Sequence, residues 1–119
     1  MTREDEQARL LRCIGEPTRL RILKLLAGGE KCVGEIIKAL NKEQSLISHH
    51  LKALKECNIV EARQEAQKIY YKLADPSLGE LALASESIVK KLILCQVKGE
   101  RYEGEENQGC GESSILTNS

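Results

Sequence analysis

One segment, Gln44–Glu56, separates apolar from polar side chains more cleanly than the rest of the chain. Read as a helix, it places the aliphatic residues Ile47, Leu51 and Leu54 on one side. The nearly opposite side carries polar residues at helical spacing: Ser45, Ser48, His49 and Lys52. The apolar side predicts packing against a core. The polar side is either merely solvated or built to meet a polar partner, and the sequence favours the partner.

Three shorter helices are predicted before this segment. The first spans Glu6–Ile14 and ends at Gly15. The second opens at Pro17, where a missing N–H costs least, and continues to Gly28. The third begins at about Val33, and its apolar residues follow the i, i+3, i+4, i+7 template: Val33, Ile36, Ile37 and Leu40. A polar turn then joins the third helix to the two-faced segment.

A β-hairpin and a last helix are predicted after it. The runs Ile59–Arg63 and Lys68–Leu73 contain β-branched or aromatic residues and flank the polar turn Gln64–Gln67. The last helix starts at the Asp75-Pro76-Ser77 triplet and carries two apolar stripes: Leu78, Leu81, Val89, Leu92 and Ile93 in one, and Leu83, Ile88 and Leu94 in the other. A helix that is apolar on so much of its surface needs partners on both sides, which predicts a dimer. The fold class is mainly α with a small β-hairpin.

Length and composition fit one cytoplasmic domain. The chain has 119 residues, of which 41% are hydrophobic and 30% charged. Neither an apolar leader nor a run long enough to span a membrane is present, so we expect no membrane partner. Five cysteines in that compartment are expected to be free thiols, metal ligands or redox sensors rather than a structural disulfide framework.

Charge is distributed unevenly although the formal net charge is zero. Residues 41–72 contain six basic and four acidic side chains, whereas residues 96–119 contain two basic and five acidic ones. The end of the chain is also rich in Glu, Gly, Ser and Asn. We therefore predict a folded domain over residues 1–96 and a flexible acidic tail over residues 97–119.

Several of these segments together resemble the ArsR/SmtB family of metal- and metalloid-responsive transcription regulators. The matching segments are Glu16–Leu23, Cys32–Ile36, Gln44–Leu51 and Lys68–Leu73, within a resemblance that runs from about Leu11 to Ile93. The resemblance implies a winged helix-turn-helix fold that dimerises through its first and last helices. It also implies a homodimeric repressor that binds double-stranded operator DNA.

The resemblance further implies that the helix Gln44–Glu56 enters the major groove and that the hairpin lies along the DNA backbone or minor groove. Short hydrogen-bonding side chains on such a helix reach base edges, and basic ones at its rim neutralise phosphates. The predicted DNA contacts are Gln44, Ser45, Ser48, His49, Lys52, Arg63 and Lys68. His50 lies nearer the apolar stripe and is expected to be partly buried. Ala66 stands in the hairpin turn where the family commonly has glycine.

The inducer sites known in the family are incomplete in this sequence. The arsenite type resembles Cys-Val-Cys, and here the segment reads Cys32-Val33-Gly34. The zinc type needs histidines on the last helix, at positions that here are Ser77, Ile88 and Lys91. A soft ion such as As(III) or Cd(II) is predicted at Cys95 and Cys110, with Cys32 or Cys13 as the third thiolate. A reversible disulfide and a purely structural role for these thiols stay open.

Other functional classes compete with DNA binding as an explanation of this sequence. No nucleotide-binding loop, paired carboxylates in an apolar setting or Ser/His/Asp pattern indicates an enzyme. A winged-helix protein-interaction module shares the fold but has no need of a polar helix face. A related regulator without a metal site, either redox-responsive or constitutive, is a further alternative.

Overall fold

The computed structural model describes the backbone of residues 1–97 and the side chains of residues 1–93. In chain order this part contains α1 (Arg3–Ile14), α2 (Pro17–Leu26), β1 (Lys31–Cys32), α3 (Val33–Leu40), α4 (Gln44–Glu56), β2 (Val60–Glu65), β3 (Lys68–Leu73) and α5 (Ser77–Val97). The described residues divide into two units, residues 1–83 and residues 84–97. The predicted tail, residues 97–119, lies outside the described residues except for Val97.

Helix α1 begins earlier than the sequence predicted because a capping box fixes its start. The Thr2 hydroxyl accepts a hydrogen bond from the Asp5 backbone N–H at 3.0 Å, and the Asp5 carboxylate accepts one from the Thr2 N–H at 3.1 Å. The prediction began at Glu6 because it followed apolar periodicity, and the capped first turn has no apolar residue.

Helices α3 and α4 form the predicted helix-turn-helix, and α4 has the predicted bounds. Asn41 ends α3 in the left-handed conformation, with φ 55°, and its N–H donates to the Ile37 carbonyl at 2.8 Å. Two residues then lead directly into α4. This tight connection lets both helices pack on the same core.

The sheet has three antiparallel strands in the order β1-β3-β2. Strands β2 and β3 form the predicted hairpin, called the wing here, with Glu65 opposite Lys68. The predicted turn Gln64–Gln67 is too long, because β2 continues to Glu65 and leaves a two-residue loop, Ala66 and Gln67. Strand β1 was not predicted. It pairs Lys31 with Tyr71 on the outer edge of β3, and two residues are too few to show alternation.

The core lies in residues 1–83 and is aliphatic. Its fully buried side chains come from α2, α3, α4 and the residue just before β2: Ile22, Leu23, Ile36, Ile47, Leu51, Leu54 and Ile59. The three aliphatic residues predicted for the inner side of α4 are all in this set. The five helices and small sheet confirm the winged helix-turn-helix, with α4 held from behind by the core.

Residues 84–97 belong to the second unit and continue α5. Ile88, Val89, Leu92 and Ile93 are 37–55% exposed. The last stretch of α5 therefore presents an apolar surface, as its two stripes predicted. Across the described residues, no helix is both long enough and apolar enough to cross a membrane.

Candidate nucleic-acid interface

The outer side of α4 is polar and exposed, and its inner side is buried. The five predicted contact residues on this helix are all exposed: Gln44, Ser45, Ser48, His49 and Lys52. Ile47, Leu51 and Leu54 behind them are at most 1% exposed. Because the apolar side packs into the core, the polar side is presented outward as a row of hydrogen-bonding groups.

An open groove of about 680 Å³ is lined by α3, α4 and the wing. Gln44 and Ser48 line it from α4, Lys68 from the start of β3, and Cys32 from the end of β1. The structure thus brings Gln44, Ser48 and Lys68 around one concavity. Within the described residues, neither Lys52 nor Lys68 forms an ion pair, so both charges are available to a polyanion.

Arg63, in contrast, is held by two carboxylates. Its Nε and one terminal nitrogen donate to Glu30, both at 2.9 Å, and its other terminal nitrogen donates to Glu65. Its guanidinium also lies 4.6 Å from the centre of the Tyr70 ring. The hydrogen bond from Arg63 lowers the pKa of Glu30, and the two carboxylates raise the pKa of Arg63. The sequence did not predict this cluster, because Glu30 is 33 residues away.

His50 lies on the inner side of α4 and is 6% exposed, as its place near the apolar stripe predicted. Its Nδ1 accepts a hydrogen bond from Arg19 Nε at 3.0 Å, and its Nε2 lies 3.7 Å from a Glu16 carboxylate oxygen. Burial lowers the pKa of His50; Glu16 opposes that shift, and the charges of Arg19 and His49 add to it. The neutral imidazole therefore joins α4 to the start of α2.

The turn of the wing confirms that Ala66 occupies a position suited to glycine. Ala66 has φ 58°, in the left-handed region, while Gln67 has a negative φ. Positive φ at only the first central residue is the pattern of a type II′ turn, in which that position favours glycine. The hairpin nevertheless forms, with Glu65 paired to Lys68 across the turn.

Of the four thiols in the predicted inducer site, the structure describes the side chains of Cys13 and Cys32. Cys32 is free and half-buried at the end of β1, whereas Cys13 is paired with Cys57 as a disulfide. Cys13 is thus not a free thiol in this structure, because the fold brings together two cysteines that are 44 positions apart. The side chain of Cys95 and all of Cys110 lie outside the described residues. Among residues 1–93, no three His, Cys, Asp or Glu side chains are grouped to hold a metal ion.

Comparisons with known proteins identify the family to which this architecture belongs. Residues 16–62 match the bacterial regulatory protein, arsR family. An HTH-type transcriptional regulator of Methanocaldococcus jannaschii is 44% identical over 82 residues, covering 68% of this chain and 92% of that protein. The chain belongs to the ArsR family. As an ArsR-family protein it is a DNA-binding transcriptional regulator.

Solved structures agree with this assignment. The transcriptional repressor BigR from Xylella fastidiosa is 35% identical, with a TM-score of 0.66 over 74% of this chain and 96% of that one. A homodimeric winged helix-turn-helix DNA-binding domain from Mycobacterium bovis is 31% identical, with a TM-score of 0.62 over 82% of this chain and 87% of that one. The ArsR-family fold here is therefore shared with proteins described as repressors and DNA-binding domains.

Proposed function

We propose that this ArsR-family regulator represses transcription as a homodimer, with α4 of each protomer in the major groove of an operator half-site. One observation carries the proposal: the outer side of α4 is an exposed polar row backed by fully buried aliphatic residues. Serine, glutamine and histidine side chains in such a row match the donors and acceptors of base edges. Lys52 and Lys68 add phosphate contacts beside them.

Two observations support the dimer. A single protomer leaves Ile88, Val89, Leu92 and Ile93 of α5 exposed, a surface that a second copy would remove from water. The similar domain from Mycobacterium bovis is described as homodimeric. The two α4 helices, which are the recognition helices of the dimer, are then related by a two-fold axis and read two half-sites about one helical turn apart.

Truncating the polar row tests the proposal. The DNA upstream of the protein's own gene serves as the operator probe, and binding is measured by fluorescence anisotropy against unrelated DNA. We expect the double variant Ser48→Ala, His49→Ala to lose about 1–3 kcal/mol of specific binding for each base contact removed. Its affinity for unrelated DNA should change little, since phosphate contacts are retained.

A matched control removes two exposed polar side chains from α1, Glu4→Ala and Gln7→Ala. The control is expected to bind the operator like the unaltered protein. Both variants should give the circular dichroism spectrum of the native fold, because all four positions are exposed. Unchanged operator affinity in the α4 variant would contradict the groove assignment.

A further inference from the structure

Cys13 and Cys57 connect α1 to the end of α4. Cys13 lies in the last turn of α1 and is 6% exposed, and Cys57 is the residue directly after α4 and is half-buried. The two form a disulfide with their Cα atoms 6.8 Å apart. That separation lies within the range that disulfides span, and it also accommodates two thiols after small side-chain rotations. The same backbone therefore suits both redox states.

Two polar groups lie near the Cys13 sulfur: the Ala53 carbonyl oxygen at 3.7 Å and the Arg19 guanidinium. An Arg19 guanidinium nitrogen donates to the Cys13 carbonyl at 2.9 Å and lies 3.9 Å from its Sγ atom. A fixed cation beside a sulfur favours the thiolate, which is the nucleophilic form. The same arginine is anchored to α4 through His50, so its position near Cys13 is fixed by the fold.

Access differs between the two sulfurs. A surface cavity of about 230 Å³ is lined by Cys57 together with Arg9 and Leu10 of α1. Cys13 does not line this cavity and is almost fully buried. A small oxidant in solution consequently reaches the Cys57 sulfur first, because the Cys13 sulfur is buried. Reactive cysteines that cycle between states commonly combine one accessible thiol with a nearby resolving thiol.

We propose that Cys57 and Cys13 are a reversible oxidation site for peroxides that tunes the affinity of this protein for DNA. The Cys57 thiolate attacks one peroxide oxygen, the O–O bond breaks, and Cys57 becomes a sulfenic acid while water leaves. The Cys13 thiolate then attacks the Cys57 sulfur, the S–S bond forms, and the S–O bond breaks to release a second water. Hydrogen peroxide is reduced by two electrons, and the two thiols supply those electrons and two protons. A dithiol reverses the reaction by thiol–disulfide exchange.

The consequence for DNA binding rests on the proposed function of α4. The disulfide ties the residue that follows α4 to α1, which restricts movement of α4 against the rest of the domain. A recognition helix that is already restrained loses less conformational freedom when it enters the groove. The oxidised protein therefore binds its operator more tightly than the reduced protein.

The test uses the full chain with the three other cysteines replaced, Cys32→Ser, Cys95→Ser and Cys110→Ser, so that only the pair reacts. Hydrogen peroxide is expected to remove two hydrogen atoms by intact mass, and dithiothreitol to restore them. Adding Cys13→Ser should leave Cys57 as a sulfenic acid that dimedone traps. Adding Cys57→Ser instead should abolish the reaction, because the remaining thiol is buried.

Operator affinity is then measured in both redox states. We expect the protein with the oxidised pair to bind the operator at least about fivefold more tightly than the protein with the reduced pair. The operator affinity of the Cys13→Ser variant should not change with peroxide. Cys57→Ala is a second variant in case serine disturbs folding. No disulfide under peroxide, or equal affinity of the two states, would overturn the inference. If the disulfide forms but neither state binds the operator, the oxidation site stands and the proposed function fails.

Discussion

At the scale of single residues, His50 links the α4 packing to pH. Its Nδ1 accepts a hydrogen bond from Arg19, so the folded protein needs this imidazole neutral, and burial lowers its pKa from 6.5. Above a pH of about 6.5, His50 is neutral in both the folded and the unfolded state, so its titration takes nothing from the free energy of unfolding. As pH falls below that value, the unfolded state binds a proton that the folded state does not. The free energy of unfolding therefore falls in that window.

Urea denaturation at pH 8 and at pH 5.5 checks this expectation. The unaltered protein should have a lower free energy of unfolding at pH 5.5, and His50→Gln should remove most of that difference, since glutamine does not titrate. His49→Gln is the matched control and should keep the difference, because His49 is exposed on the outer side of α4. Identical pH dependence in the His50 variant and the unaltered protein would contradict the role assigned to Arg19 and His50.

Lys68 and Arg63 are expected to differ in how they contribute to DNA binding. Lys68 has no ion pair among the described residues, so Lys68→Ala should reduce the slope of log affinity against log salt by about 0.9 for each protomer, or about 1.8 for the dimer. Arg63→Ala should reduce it less, because Glu30 and Glu65 already neutralise this guanidinium. Anisotropy titrations at several salt concentrations measure both slopes. Equal reductions would mean that Arg63 exchanges its carboxylates for phosphate on DNA.

Residue exposure could be predicted from the sequence, but residue partners could not. Helical periodicity alone assigns Ile47 inward and His49 outward, because both positions depend only on local geometry. The Arg19–His50 and Arg63–Glu30 contacts join residues 31 and 33 positions apart. Such contacts depend on how helices and strands are packed together. The Cys13–Cys57 pair was missed for the same reason.

At the scale of elements, α4 and the wing show what limits a prediction of boundaries. The bounds of α4 were predicted correctly because apolar and polar residues recur at helical spacing along its whole length. The bounds of α1 and β2 were missed, since a capping box and a two-residue turn carry no apolar periodicity. Strand β1 forms only because it pairs with β3, and the two residues Lys31–Cys32 alone do not indicate a strand.

The wing turn supplies a prediction about stability. A non-glycine residue in the left-handed region costs roughly 1–2 kcal/mol, and Ala66 has φ 58°. Ala66→Gly removes that cost, although glycine gives the unfolded chain more freedom. We therefore expect a net gain of up to about 1 kcal/mol in the free energy of unfolding, measured by urea denaturation. Ala39→Gly in the exposed helical part of α3 is the control and should destabilise the protein by about 1 kcal/mol. A loss of stability in Ala66→Gly would contradict the strained turn.

At the scale of the whole molecule, the exposed apolar residues of α5 decide the assembly. In one protomer Leu92 is 37% exposed and Ile88 is 55% exposed, although both side chains are apolar. A second copy of α5 packed against them would remove this surface from water. Full burial of a leucine side chain contributes about 1.5–3 kcal/mol, so covering the exposed 37% of Leu92 contributes a fraction of that, and a two-fold axis uses each leucine twice. Two DNA half-sites also require two copies of α4. Dimerisation and operator binding are therefore expected to be lost together.

Leu92→Glu tests that link. It replaces an apolar contact with a carboxylate that a dimer would have to bury, and two copies would repel each other across the axis. We expect the unaltered protein to sediment as a dimer at micromolar concentration and Leu92→Glu as a monomer that has lost most of its operator affinity. Ser87→Glu adds the same charge to an exposed polar position of α5 and should remain a dimer. An unaltered protein that sediments as a monomer, or a monomeric Leu92→Glu variant that binds the operator with full affinity, would contradict this assembly. Leu92→Glu leaves the core of residues 1–83 unchanged. The expected loss of operator affinity in this variant therefore measures how much of that affinity comes from placing two α4 helices on one face of the DNA.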